Sequence, residues 1–186
     1  DIIFQSDDGA GSIATYFSLD GSSATHNGSA TTALFTNWPD KSYISLGTSH
    51  DFRFHHNSSH SYIENLTGNL EIINYSNDSD IIFQCDDGSG GTTAYITLDG
   101  SSTMTLNHVH TMHLDNKRAY FGTGFDLEIY HDTSNSYISQ LGTGNLIIQN
   151  TVDDADIVFK CDDGSGGNAT YFRLDGTNAQ TEFERN

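Results

Sequence analysis

The same string occurs three times along this chain: DIIFQSDDGAGSIATYFSLDG over Asp1–Gly21, DIIFQCDDGSGGTTAYITLDG over Asp80–Gly100 and DIVFKCDDGSGGNATYFRLDG over Asp156–Gly176. The starts lie 79 and 76 residues apart. A second string alternates with it. It reads DFRFHHNSSHSYIENLTGNLEIIN over Asp51–Asn74 and DLEIYHDTSNSYISQLGTGNLIIQN over Asp126–Asn150, with Gly142 as the only insertion. Self-similarity at a fixed period is the signature of a repeat architecture, in which each unit leans on its neighbours.

The repeats divide the chain into module one (1–24), a connector (25–50), module two (51–79), module one (80–103), a connector (104–125), module two (126–155) and a third module one (156–186) that stops early. The chain reads as a window on a longer array.

Within each module the pattern is strand. Ile2 and Phe4 alternate with Ile3 and Gln5, and Leu127 and Ile129 alternate with Glu128 and Tyr130. Alternation with a period of two in short β-branched and aromatic runs marks half-buried strands. Asp-Gly recurs at Asp8-Gly9, Asp20-Gly21, Asp87-Gly88, Asp99-Gly100, Asp163-Gly164 and Asp175-Gly176, and Gly-Asn at Gly68-Asn69 and Gly144-Asn145. Turn residues at that spacing leave no room for a long helix.

Strands of roughly five residues with one apolar face cannot bury that face alone. The fold class expected is therefore all-β: a repeat-built fibre of short strands, three chains intertwined or wrapped into a triangular prism. The other architecture that meets the packing requirement is a single-chain β-solenoid. The long repeat favours the homotrimer. On this reading Ile2, Phe4, Ile81, Phe83, Ile157 and Phe159 do equivalent packing work.

Only 35% of the residues are hydrophobic and the mean hydropathy is −0.46, yet aromatic residues reach 11%, too many for a disordered polar chain. Seven basic residues against 25 acidic ones give a net charge of −18. Such a field repels phosphate, so nucleic acid is excluded as a partner, and it suits a secreted or virion protein in a salty medium. No apolar run approaches the roughly 18 residues of a membrane-spanning helix, so no membrane insertion is expected. Cys85 and Cys161 occupy equivalent repeat positions, where the first copy has Ser6, and are expected to be buried free thiols.

The strings DIIFQSDDG, DDGSGG followed by ATYFRLDG, GTGFDLEIYHDTSNSYI and GTGNLIIQN resemble the repeating modules of tail-fibre and structural proteins of marine bacteriophages, including cyanophages. The resemblance covers nearly all of the chain outside the connectors. It implies a virion-associated, homotrimeric fibre used for host attachment, with a host cell-surface glycan or protein as receptor and no catalytic residues. The first module two departs from the pattern, carrying His55, His56 and His60 where the second has Tyr130, His131 and Asn135.

Several constellations hold candidate chemistry. The acidic turns Asp7-Asp8-Gly9, Asp86-Asp87-Gly88 and Asp162-Asp163-Gly164 offer oxygen ligands for calcium, but they lack the ligand ladder of an EF-hand, and the plainer reading is turns in which Asp bonds its own backbone. Paired carboxylates for glycoside cleavage need a fixed separation across a cleft, whereas these acids recur as turn punctuation. No nucleophile-elbow, zincin or phosphate-loop motif is present, so the chain reads as non-enzymatic. Asn27, Asn57, Asn65, Asn74, Asn77 and Asn168 head glycosylation sequons, usable only in a secreting host.

Trp38, Tyr43 and Tyr62 are candidate glycan contacts, because an aromatic platform beside planar hydrogen-bonding groups suits a sugar ring. In a strand, His108 and His110 point the same way, so three chains around a threefold axis bring six imidazole nitrogens to one transition metal. Two surface histidines are the plainer reading. Competing functions for the whole chain are a cellular extracellular adhesin or filament subunit and a tailspike-type polysaccharide-degrading enzyme.

Overall fold

The computed structural model describes residues 1–23 and 33–185. Asn27 and part of the first connector lie outside the described residues. Among those described there is no helix. The chain forms five antiparallel three-stranded sheets, each made of strands consecutive in sequence. Contacts divide it into two compact units, 1–106 and 107–186.

The first unit holds three sheets: β1 (Ile2–Asp7), β2 (Ile13–Asp20) and β3 (Phe35–Asn37); β4 (Tyr43–Leu46), β5 (Phe52–His56) and β6 (Ser61–Asn65); and β7 (Ile81–Asp86), β8 (Thr92–Asp99) and β9 (Met104–Asn107). The second unit holds β10 (Ala119–Phe121), β11 (Leu127–His131) and β12 (Ser136–Gln140), followed by β13 (Ile157–Asp162), β14 (Asn168–Asp175) and β15 (Gln180–Phe183). The segments set apart above as connectors supply β3, β4, β9 and β10. All the ladders with a defined register are antiparallel and local, and the described residues show no closed barrel or solenoid coil.

Module one builds its first hairpin the same way in all three copies. Ile2 pairs with Leu19, Ile81 with Leu98 and Ile157 with Leu174, and two residues on Phe4 pairs with Phe17, Phe83 with Ile96 and Phe159 with Phe172. These pairs share one face. The register then slips, leaving Tyr16, Tyr95 and Tyr171 as the extra residue of a β-bulge. Each bulged tyrosine donates its hydroxyl to the carbonyl of the Asp that ends the first strand: Tyr16 to Asp7 at 2.9 Å, Tyr95 to Asp86 at 3.0 Å and Tyr171 to Asp162 at 2.9 Å.

The faces of module two differ in chemistry. On one lie Ile44, Phe54 and Ile63, matched in the second copy by Ala119, Ile129 and Ile138. On the other lie Tyr43, His55 and Tyr62, matched by Arg118, Tyr130 and Tyr137.

No hydrophobic side chain among the described residues is buried. Among the described residues only Thr97, Glu128 and Asp175 are buried. A domain normally encloses its core between two layers of secondary structure, and here each three-stranded sheet has a single layer. The six side chains expected to do equivalent work do share a face and a register, but that face is open: Ile2 is 60% exposed and Phe83 46%. The expectation that Cys85 and Cys161 are buried is overturned for the same reason. Both are free and exposed, opposite Thr93 and Ala169 beyond the bulge, with no second layer to cover them.

The strings NLEIIN and NLIIQN, rich in branched apolar residues, form no strand. No strand covers 66–80 or 141–156, and among the described residues no backbone hydrogen bond joins 69–73 or 145–149 to the rest of the chain.

Candidate functional site

Sheet β1–β3 is tied to sheet β4–β6 by the Ser42 hydroxyl, which donates to the Tyr16 carbonyl at 2.6 Å. Beside this tie lies a cleft of about 540 Å³ whose lining includes Asp8, Tyr16, Lys41, Tyr43, His50 and Arg53. The Arg53 guanidinium sits 5.4 Å from the Tyr43 ring centroid, and its Nη2 is 2.8 Å from Glu64 Oε2. That contact is an ion pair without hydrogen-bond alignment, and Arg53 Nε is buried with no partner. Tyr16 is held by its hydroxyl bond yet remains 47% exposed, which leaves a fixed ring at the cleft wall.

Lys41 has a φ of 66°, and its equivalent, Asn116, has 63°. Asparagine tolerates the left-handed region better than lysine does, so Lys41 carries backbone strain at the cleft that the second copy avoids.

The three candidate glycan contacts are brought to neighbouring surfaces without meeting at one point. Tyr43, His55 and Tyr62 form a continuous row across β4–β6, with ring centroids 4.3 and 4.6 Å apart. Trp38 ends a second row, Phe4–Phe17–Trp38, with spacings of 4.3 and 4.8 Å. Trp38 and Tyr62 line one cavity of about 510 Å³ together with Ile44, Phe54 and His56, whereas Tyr43 lines the cleft described above. Both hollows combine ring faces with donors and acceptors, and both have the size of a ligand pocket. The sequence signalled the aromatics. It did not signal Tyr16, Lys41 or Arg53, whose meeting depends on how two sheets are joined.

The acidic turns are occupied by their own backbone. Asp8 Oδ1 accepts from the amides of Ala10 and Ser12 at 2.8 and 3.0 Å, Asp87 Oδ1 from Ser89 and Gly91 at 2.8 and 3.1 Å, and Asp163 Oδ1 from Ser165 and Gly167 at 2.8 and 3.1 Å. These bonds hold the three carboxyls below the usual carboxylate range, led by the Ser12 amide for Asp8, the Ser89 amide for Asp87 and the Ser165 hydroxyl for Asp163. Asp20 falls to about 2, chiefly through the hydroxyls of Ser23 and Ser22. A charge stabilised by several donors is a structural group, whereas a general acid needs its carboxyl pushed the other way.

The strand expected over His108–His110 is not there. β9 ends at Asn107 and Val109 lies in a bend, so the alternation that would aim both imidazoles along one direction does not operate. Among the described residues no group of three or more His, Cys, Asp or Glu side chains is placed to hold a metal ion. Among the described residues no helix is long and apolar enough to cross a membrane. No protein family, no curated protein and no solved structure matches the chain.

Proposed function

We propose that this chain is a structural and adhesive segment of a viral tail fibre, a stiff rod formed by three parallel copies and used for attachment to a host surface. One observation carries the reading: none of the described apolar side chains is buried, while the same apolar face recurs at the same register in every module-one hairpin. A face repeated in register along a chain is matched best by the same face on identical chains. The likeness of the module strings to marine-phage fibre repeats supplies the virion setting. The cleft at Arg53 and the hollow between Trp38 and Tyr62 are the surfaces that suit a host glycan. The reading invokes no catalytic step.

Light scattering with circular dichroism tests it. The expected result is a particle of three chains with a strong β signal. A single-chain mass with the same β signal overturns the proposal.

A further inference from the structure

Residues 69–74 and 145–150 occupy equivalent places, each between a module-two sheet and the next module one. The first begins after a turn in which Gly68 takes a φ of 70° and the Asn65 side-chain amide donates to the carbonyls of Thr67 and Gly68, both at 3.0 Å. It ends at Asn74, whose side-chain amide donates to the Asp80 carbonyl at 3.0 Å. The second begins after Gly144, with a φ of 101°, and ends at Asn150, which donates to the Asp156 carbonyl at 3.0 Å. Each segment is thus bracketed by a glycine turn and an asparagine clamp.

Between those brackets the composition is that of a strand. Leu70, Ile72 and Ile73 are 49, 58 and 55% exposed, and Leu146, Ile147 and Ile148 are 44, 72 and 61% exposed. Branched apolar residues are costly to leave in water and favour the pleated conformation. Backbone amides and carbonyls need partners wherever they leave water, and these have none within the described chain. A run with strand composition, exposed apolar side chains and an open hydrogen-bonding edge is a template for strand addition.

We propose that residues 69–74 and 145–150 are intermolecular strands, through which each copy of this chain pairs its backbone with another copy. The inference rests on the self-assembly reading above and names the segments that carry it. A second copy is the fitting occupant because both segments recur at equivalent positions in a chain none of whose described apolar side chains is buried. Identical chains in register bring both pairs together at once.

Hydrogen–deuterium exchange on the full chain, with its mass measured under the same conditions, decides the matter. Amides of 69–74 and 145–150 are expected to exchange at least a hundredfold more slowly than free peptide in a multi-chain particle. The double substitution Ile72→Pro/Ile148→Pro, which removes one donor from each segment, is expected to lower the particle to single-chain mass. Unprotected segments in a multi-chain particle overturn this inference alone, as does an unchanged particle mass in the proline variant. A single-chain mass for the unsubstituted protein overturns the self-assembly reading with it.

Discussion

The Arg118 guanidinium lies 4.1 Å from the Tyr130 ring centroid while its Nε reaches Glu128 at 2.7 Å. The equivalent sheet makes the same combination from different positions. There Arg53 stands where the second copy has Glu128, lies over Tyr43, which stands where the second copy has Arg118, and pairs with Glu64 on the third strand. The interaction is kept while its members change strands, which marks this as the polar face of module two in both copies. Glu128 is among the few buried residues, whereas the Glu64 side chain is 30% exposed. Removing a partner from a buried carboxylate costs more than removing one from an exposed carboxylate. Arg118→Ala is therefore expected to lower the urea midpoint by more than Arg53→Ala does, with Arg118→Lys recovering only part of the loss.

Phe83 and Ile82 are 46% and 49% exposed in the single chain, but they lie on opposite faces of the sheet. If the Phe83 face is the one covered by other copies, Phe83→Ala costs about 3 kcal/mol in the assembled protein, as for emptying a core aromatic site. Ile82→Thr then changes stability by only about 0.5 kcal/mol, as surface substitutions do. Equal costs in chemical unfolding of the assembled protein contradict the assignment of faces.

Each bulged tyrosine spends its hydroxyl on a strand-end carbonyl. Tyr95→Phe keeps the ring and deletes that bond, so it is expected to cost about 0.5–1.5 kcal/mol. Slower exchange at Asp87 or Gly88 in the variant than in the parent protein is the outcome that contradicts a role in holding the turn.

The turn carboxylates of Asp8, Asp87, Asp163 and Asp20 are all held below their ordinary range, Asp20 at about 2. Groups whose folded pKa is depressed add stability that is complete above the unfolded value of about 3.9 and is lost as pH falls through the folded value. Thermal midpoints are thus expected to fall between about pH 4 and pH 2. The triple variant Asp8→Asn/Asp87→Asn/Asp163→Asn is expected to show a shallower fall across that window, and an identical slope contradicts the assignment.

The strands were legible because alternation and turn residues are local signals: Ile2 and Phe4 fall in β1, and Asp8-Gly9 falls in the turn that follows. The bulge at Tyr16 was hidden, since an extra residue on one strand shows only once its partner is paired. Cys85 was misjudged because burial was inferred from residue type, whereas a one-layer sheet leaves its faces open. The strand at His108–His110 failed because β9 ends at Asn107. NLEIIN and NLIIQN show the opposite limit, strand composition with no backbone partner among the described residues. The cleft beside Lys41 and Arg53 arises from a junction between sheets, and no motif in either segment announces it.

In the assembly proposed above, the unequal spacing of module one would act as an alignment gauge. Its starts are separated by 79 and then 76 residues. In that assembly, a copy displaced by one whole repeat would set the longer interval against the shorter, so the segments joining matched hairpins would differ in length by three residues. Unshifted copies alone would match hairpins and connecting segments together, so under that proposal the spacing would disfavour staggered association.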